Sequence, residues 1–196
     1  GVGGAAVTEP PVSALVLSRS IHAEIMAHLT SWLPHEGVGL LAVRDQRGSL
    51  RAVRYHPGRN ADRSPLRYTM SPAEVSAALR DIEDHGGRLG AIVHSHPRTP
   101  PVPSATDLVE AATPGVLSVI VGFEPACAVR AWSLERDHSG IAIHAREVAI
   151  VIAGWTFGTL GSSLARLARQ CRLNWPVVWG QGNGFAECRC CPSGHA

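Results

Sequence analysis

Two imidazoles, a hydroxyl and a carboxylate fall close together in the run His94-Ser95-His96-Pro97, then Ser104, then Asp107. Residues two apart on an extended strand face the same side, so His94 and His96 project together. The strand that carries them is Leu89-Gly90-Ala91-Ile92-Val93, a short apolar run after Gly86-Gly87. Pro97 cannot donate to a ladder, and Pro100, Pro101 and Pro103 follow it, so the chain must loop there. The loop ends at Ser104-Ala105-Thr106-Asp107, which fits a helix N-terminus with a capping hydroxyl and an acid three positions on. Two nitrogens and one oxygen as metal ligands leave a tetrahedral position open for water, the composition of a catalytic rather than a structural zinc site. Hydrolysis at such a site also needs a base. Glu36, an acid entering the otherwise apolar strand start Val38-Gly39-Leu40-Leu41, is the candidate.

Together these residues resemble a known motif. His94-x-His96, Ser104 and Asp107 stand at the JAMM spacing, His-x-His-x(7)-Ser-x(2)-Asp, and Pro34-x-Glu36-x-x-Gly39-Leu40-Leu41 is similar to that family's upstream glutamate segment. The chain resembles a bacterial JAMM/MPN+ zinc metalloprotease of the Mec type from about Ala14 to about Val151. One position departs: many bacterial relatives carry cysteine two residues after the glutamate, where this chain has Val38, a change that bears on packing more than on metal chemistry.

The resemblance implies that His94, His96 and Asp107 hold one Zn2+ per chain. It implies that Glu36 takes the proton of the attacking water and hands it to the leaving amine, and that Ser104 donates to the oxyanion. By its own position Ser104 is equally a helix cap, and both readings stand. The implied fold is α/β, a JAMM/MPN-like (cytidine-deaminase-like) sandwich with a mixed curved sheet flanked by helices. The implied reaction is hydrolysis of the peptide or isopeptide bond after the C-terminal tail of a ubiquitin-like, β-grasp sulfur-carrier protein. An extended Gly-ended tail is expected to add as a strand at a sheet edge beside the zinc. The short Pro97 to Pro103 loop and the span from Leu108 to Val116 favour a small carrier over polyubiquitin. Rival classes are a non-catalytic MPN scaffold, a RadC-like protein and a cell-wall or phage-tail peptidase of the same motif.

The positioning elements follow from pattern. Ala14 to Leu17 reads as a first strand, and Ser20 as cap of a helix burying Ile21, Ile25, Leu29 and Trp32, ended by Pro34. Gly39 to Val43 and Leu50 to Tyr55 form a hairpin across Arg44 to Ser49. Pro57 to Pro65 is a polar loop. Arg67 to Met70 reads as a strand before the helix start Ser71-Pro72-Ala73-Glu74, whose helix buries Val75, Ala78, Leu79 and Ile82. Leu117 to Phe123, Val129 to Leu134 and Ile141 to His144 are further strands. Asn60-Ala61-Asp62-Arg63-Ser64-Pro65 resembles a segment of bacterial relatives, in which Asn60 or Ser64 lines the substrate groove or, as their residue types favour, makes a turn and a cap. The remaining histidines show no second metal spacing, and most of them are expected to be solvated.

With 196 residues and 45% hydrophobic content, the chain supports one core, divided as a flexible tail 1–13, a catalytic domain 14–152 and a Cys-rich appendage 153–196. A net charge of +2 with no dense basic cluster argues against nucleic acid as partner. The longest apolar run, Val148 to Trp155, is too short to span a membrane. Five cysteines, an odd number, and an amino end without a secretory pattern lead to an expectation of a reducing, cytoplasmic setting. Cys188, Cys190 and Cys191 with His195 match no closed zinc motif.

Overall fold

The computed structural model describes residues 11–110, 113–137 and 143–153. The appendage expected over 153–196, with its Cys188 to His195 cluster, lies outside them except for its first residue. Apolar alternation makes β1 (Ala14–Ser18), β2 (Val38–Gln46), β3 (Ser49–Gly58), β4 (Arg88–His96), β5 (Leu117–Gly122), β6 (Ala128–Arg136) and β7 (Ile143–Ala153). Between them run α1 (Arg19–Ser31), α2 (Pro72–Asp84) and the short α3 (Ala105–Glu110).

The sheet is mixed and curved, as expected, with helices against it. It does not stop as the open layer of a sandwich: in the order β1-β3-β2-β4-β5-β6-β7 it closes into a barrel. Closure rests on β1, which pairs in parallel with β3 on one side and with β7 on the other. Register shifts in β2, at Ala42/Val43 against β3 and Leu41/Ala42 against β4, add local twist where the sheet must bend. The core takes alternate residues of the strands, among them Leu15, Leu41, Val43, Ala91, Val93, Val119 and Ala131, and α1 packs Ile21, Ile25, Met26 and Leu29 into the same cluster. Alternation then puts Ile92, His94 and His96 of β4 on the other face.

Three local expectations change. The cap of α1 is Ser18, not Ser20: β1 runs straight into the helix, and extended Ser18 accepts from the Ile21 amide at 3.2 Å. Residues 67–70 form no strand, because their backbone is bonded to Asn60 and Ala61 instead of a ladder. The last strand, read as Ile141 to His144, runs from Ile143 through the apolar run to Ala153. The start of α2 holds as read, with Ser71 as cap, Pro72 in the first turn and Glu74 reaching back to the Ser71 hydroxyl. Gly86, at φ +65, turns the chain after it, a conformation that costs glycine little.

Candidate active site

β4 ends in the two histidines because His96 is its last paired residue before the prolines. The Pro-rich loop that follows is held on both sides. Trp132 Nε1 donates to the Pro101 carbonyl at 3.0 Å, and His96 Nδ1 lies 3.1 Å from the Pro100 carbonyl. At Gly122 a Cβ would meet Pro101 at 2.6 Å, so β5 must be bare there for the loop to pass. The loop thus delivers Ser104 and α3 back over the strand that carries the histidines.

The result is a convergence of donors. His94 Nε2 lies 3.2 Å from His96 Nε2 and 3.1 Å from Asp107 Oδ1, and His96 Nε2 lies 3.4 Å from Asp107 Oδ2. His94 is fully buried and His96 is 5% exposed. Two imidazole nitrogens and a carboxylate turned toward one point in a dry pocket are the donor set a divalent cation takes. Bonds of about 2.0–2.1 Å to a tetrahedral zinc put ligand atoms about 3.3 Å apart; the two imidazole nitrogens stand at 3.2 Å, and the carboxylate turns a different oxygen to each of them, at 3.1 and 3.4 Å. The site residues therefore fit such an ion. The Pro100 carbonyl on His96 Nδ1 fixes that ring with Nε2 toward the ligands, the usual outer support of a metal-binding histidine.

Ser104 is built into the same corner. Its Oγ accepts from the Asp107 amide at 3.2 Å and donates to Asp107 Oδ2 at 2.6 Å, and its own amide donates to that oxygen at 2.7 Å. This is a capping box with Asp107 as the acid. Burial works against the charge on Asp107, but His94, His96 and Ser104 together hold its carboxyl well below the usual carboxylate range.

Glu36 comes from the segment between α1 and β2. It is 5% exposed, and burial pushes its carboxyl up to about 7, with His96 drawing it down and Asp107 pushing it further up. The pairing of Val38 with His94 brings this segment to the end of β4 that carries the donors. Its neighbour Gly37 is tied to the histidine strand in both directions: the Gly37 amide donates to Ser95 Oγ at 2.8 Å, and the Ser95 amide donates to the Gly37 carbonyl at 3.0 Å. A Cβ on Gly37 would meet Leu29 at 2.8 Å, so glycine is what lets the segment lie against α1.

All five residues singled out in the sequence, Glu36, His94, His96, Ser104 and Asp107, thus meet at one place. Others were not read from the sequence. Tyr68 lays its ring against His94, with 4.7 Å between ring centroids, and lines a cleft with Ile92, Asp107, Glu110 and Leu117. Burial raises its phenol far above the usual tyrosine range, so it is a neutral wall. Ser95, between the two histidines, had a signal in the alternation that turns it inward. β4, the strand that carries the histidines, is itself paired on both sides, by β2 and β5.

Barrel, buried donor triad and adjoining glutamate define the class, a metal-site domain with the JAMM signature. The chain belongs to the prokaryotic homologs of the JAB domain, whose family model matches residues 18–135. It is 40% identical over 98 residues to a probable TtuB-protein conjugate cleaving protease of Thermus thermophilus, a match covering 50% of this chain and 63% of that protein. It is 30% identical over 126 residues to the desampylase of Haloferax volcanii, covering 62% of this chain and 89% of the relative. To the CysO-cysteine peptidase of Mycobacterium tuberculosis it is 34% identical over 110 residues, covering 56% and 74%. A solution structure of a Desulfitobacterium hafniense protein superposes with a TM-score of 0.61 at 28% identity, covering 71% of this chain and 94% of that one.

Proposed function

We propose that the protein is a zinc-dependent peptidase or isopeptidase that hydrolyses the bond after the C-terminal tail of a ubiquitin-like, β-grasp sulfur-carrier protein. The observation that carries this reading is the convergence of His94 Nε2, His96 Nε2 and the Asp107 carboxylate beside a buried glutamate raised to about 7. The names of its relatives, which cleave a TtuB–protein conjugate, desampylate or act on CysO-cysteine, support the substrate class. A scaffold without chemistry has no use for a carboxyl kept buried at that cost.

His94, His96 and Asp107 would hold the zinc, which when bound acidifies a water and polarises the scissile carbonyl. Glu36 takes the proton of the attacking water and delivers it to the departing amine, a task for which a carboxyl near neutral pKa is suited. Ser104 caps α3 through its lone pair, and its hydrogen, resting on Asp107 Oδ2, is the one available to the oxyanion. The carrier tail lies in the cleft that Tyr68 shares with α3, next to Asp107. Tyr68 and Glu110 wall that cleft, which leaves room for small residues near the cut.

The test is a fusion of a small β-grasp carrier to a C-terminal peptide, incubated with the zinc-loaded protein and followed by mass spectrometry. Cleavage after the terminal glycine, with unrelated peptides left intact, is the expected result. Hydrolysis of unrelated peptides while every β-grasp fusion survives would contradict it.

A further inference from the structure

We propose that Asn60 is a positioning residue for Glu36, joining the base to the loop that walls the metal site. This rests on the reading of Glu36 as the base. Asn60 is 1% exposed, and its amide meets four backbone groups. Oδ1 accepts from the amides of Asp62 at 3.0 Å and Thr69 at 3.2 Å, which is what a turn-forming asparagine does for its own loop. Nδ2 does something else: it donates to the Arg67 carbonyl at 3.0 Å and, across 24 residues of chain, to the Glu36 carbonyl at 2.9 Å. The loop answers from the other side, where the Ser64 carbonyl accepts the Glu36 amide at 2.8 Å.

Both backbone polar groups of Glu36 therefore end on residues of one loop, and the next residue is clasped by Ser95 between the two metal-binding histidines. The carboxyl is left to move only about its own side-chain torsions. The same loop carries Tyr68 against His94, so Asn60 sets the base and the wall of the ligand pocket from one buried amide. Positioning matters on this scale, since a displacement of about 1 Å at a reacting group can cost on the order of 10²-fold in rate.

Asn60→Asp is the cutting variant, because it keeps the shape and the Oδ1 acceptor for the loop while replacing the donors to Glu36 and Arg67. The expected result is a fall in kcat of about 10- to 100-fold with KM little changed. Zinc content should stay at one per chain, and exchange of the Glu36 amide with solvent, followed by NMR, should quicken by about tenfold or more while the Leu41 and Val93 amides stay protected. Wild-type kcat, a rise in KM alone, or unchanged exchange at Glu36 would overturn the proposal. Should the variant fail to fold, the unaltered protein still decides: the Glu36 and Thr69 amides must open together, and independent opening overturns it. Full activity of Glu36→Gln would instead remove the base reading and leave the exchange result standing by itself.

Discussion

Among the described residues, two groups bring two histidines together with one aspartate, and one of the two is a credible metal site. His94, His96 and Asp107 converge at 3.1–3.4 Å with side chains 0%, 6% and 8% exposed. On the far side of α2, Asp81 stands 3.6 Å from His56 Nε2 and 3.4 Å from His85 Nδ1, but it is 38% exposed, and Arg54 lies 3.3 Å from the same carboxylate. There the cation is already supplied by a side chain and water reaches the acid, so nothing is left for an ion to neutralise. What separates the two is not residue type but dryness, mutual distance and the presence of a competing guanidinium.

The sharpest break of that contrast is His94→Ala, which should lower zinc affinity by well over about 100-fold, measured by metal content after dialysis, and abolish cleavage. A smaller effect is expected of Ser104→Ala. Loss of the oxyanion donor should cost about 10²–10³ in kcat, and loss of the cap about 1 kcal/mol in stability by denaturant melts, with zinc retained. Next comes a pH signature in chelator-treated protein. Because the folded Glu36 carboxyl is raised from 4.5 to about 7, its contribution to stability is present below pH 4.5 and lost as pH rises through about 7. Glu36→Gln should therefore stabilise the zinc-free protein above pH 7 by up to about 3 kcal/mol and leave it unchanged near pH 4, seen as thermal midpoints at the two values. The least effect belongs to the other cluster: Asp81→Asn should change stability by less than about 1 kcal/mol and leave zinc content at one per chain.

Why the site was so legible, and the barrel less so, has a physical reason. The period of two in His94-Ser95-His96 and the three-residue step from Ser104 to Asp107 are local rules of strands and helix caps, and both held. Closure depends on pairings such as Ala14 with Ala149, which no local pattern carries. The strand expected over residues 67–70 failed because the buried Asn60 side chain, with the Ala61 amide, took the hydrogen bonds a neighbour strand would have made. Asn60 itself was visible in the sequence, but as a turn residue; its donation to Glu36 is a long-range contact. His28, one of a group of histidines most of which are expected in solvent, is half-buried and bonded to Tyr55 and Trp32.

The central claim is that one buried triad holds zinc and that Glu36 makes it a hydrolase. The direct measurement compares zinc content and cleavage of a β-grasp carrier fusion for the intact chain and Glu36→Gln. One zinc in each, with cleavage after the tail glycine by the intact chain and a loss of about 10²–10⁴ in the variant, is the predicted result. Zinc-free proteins, or equal cleavage by both, would contradict it.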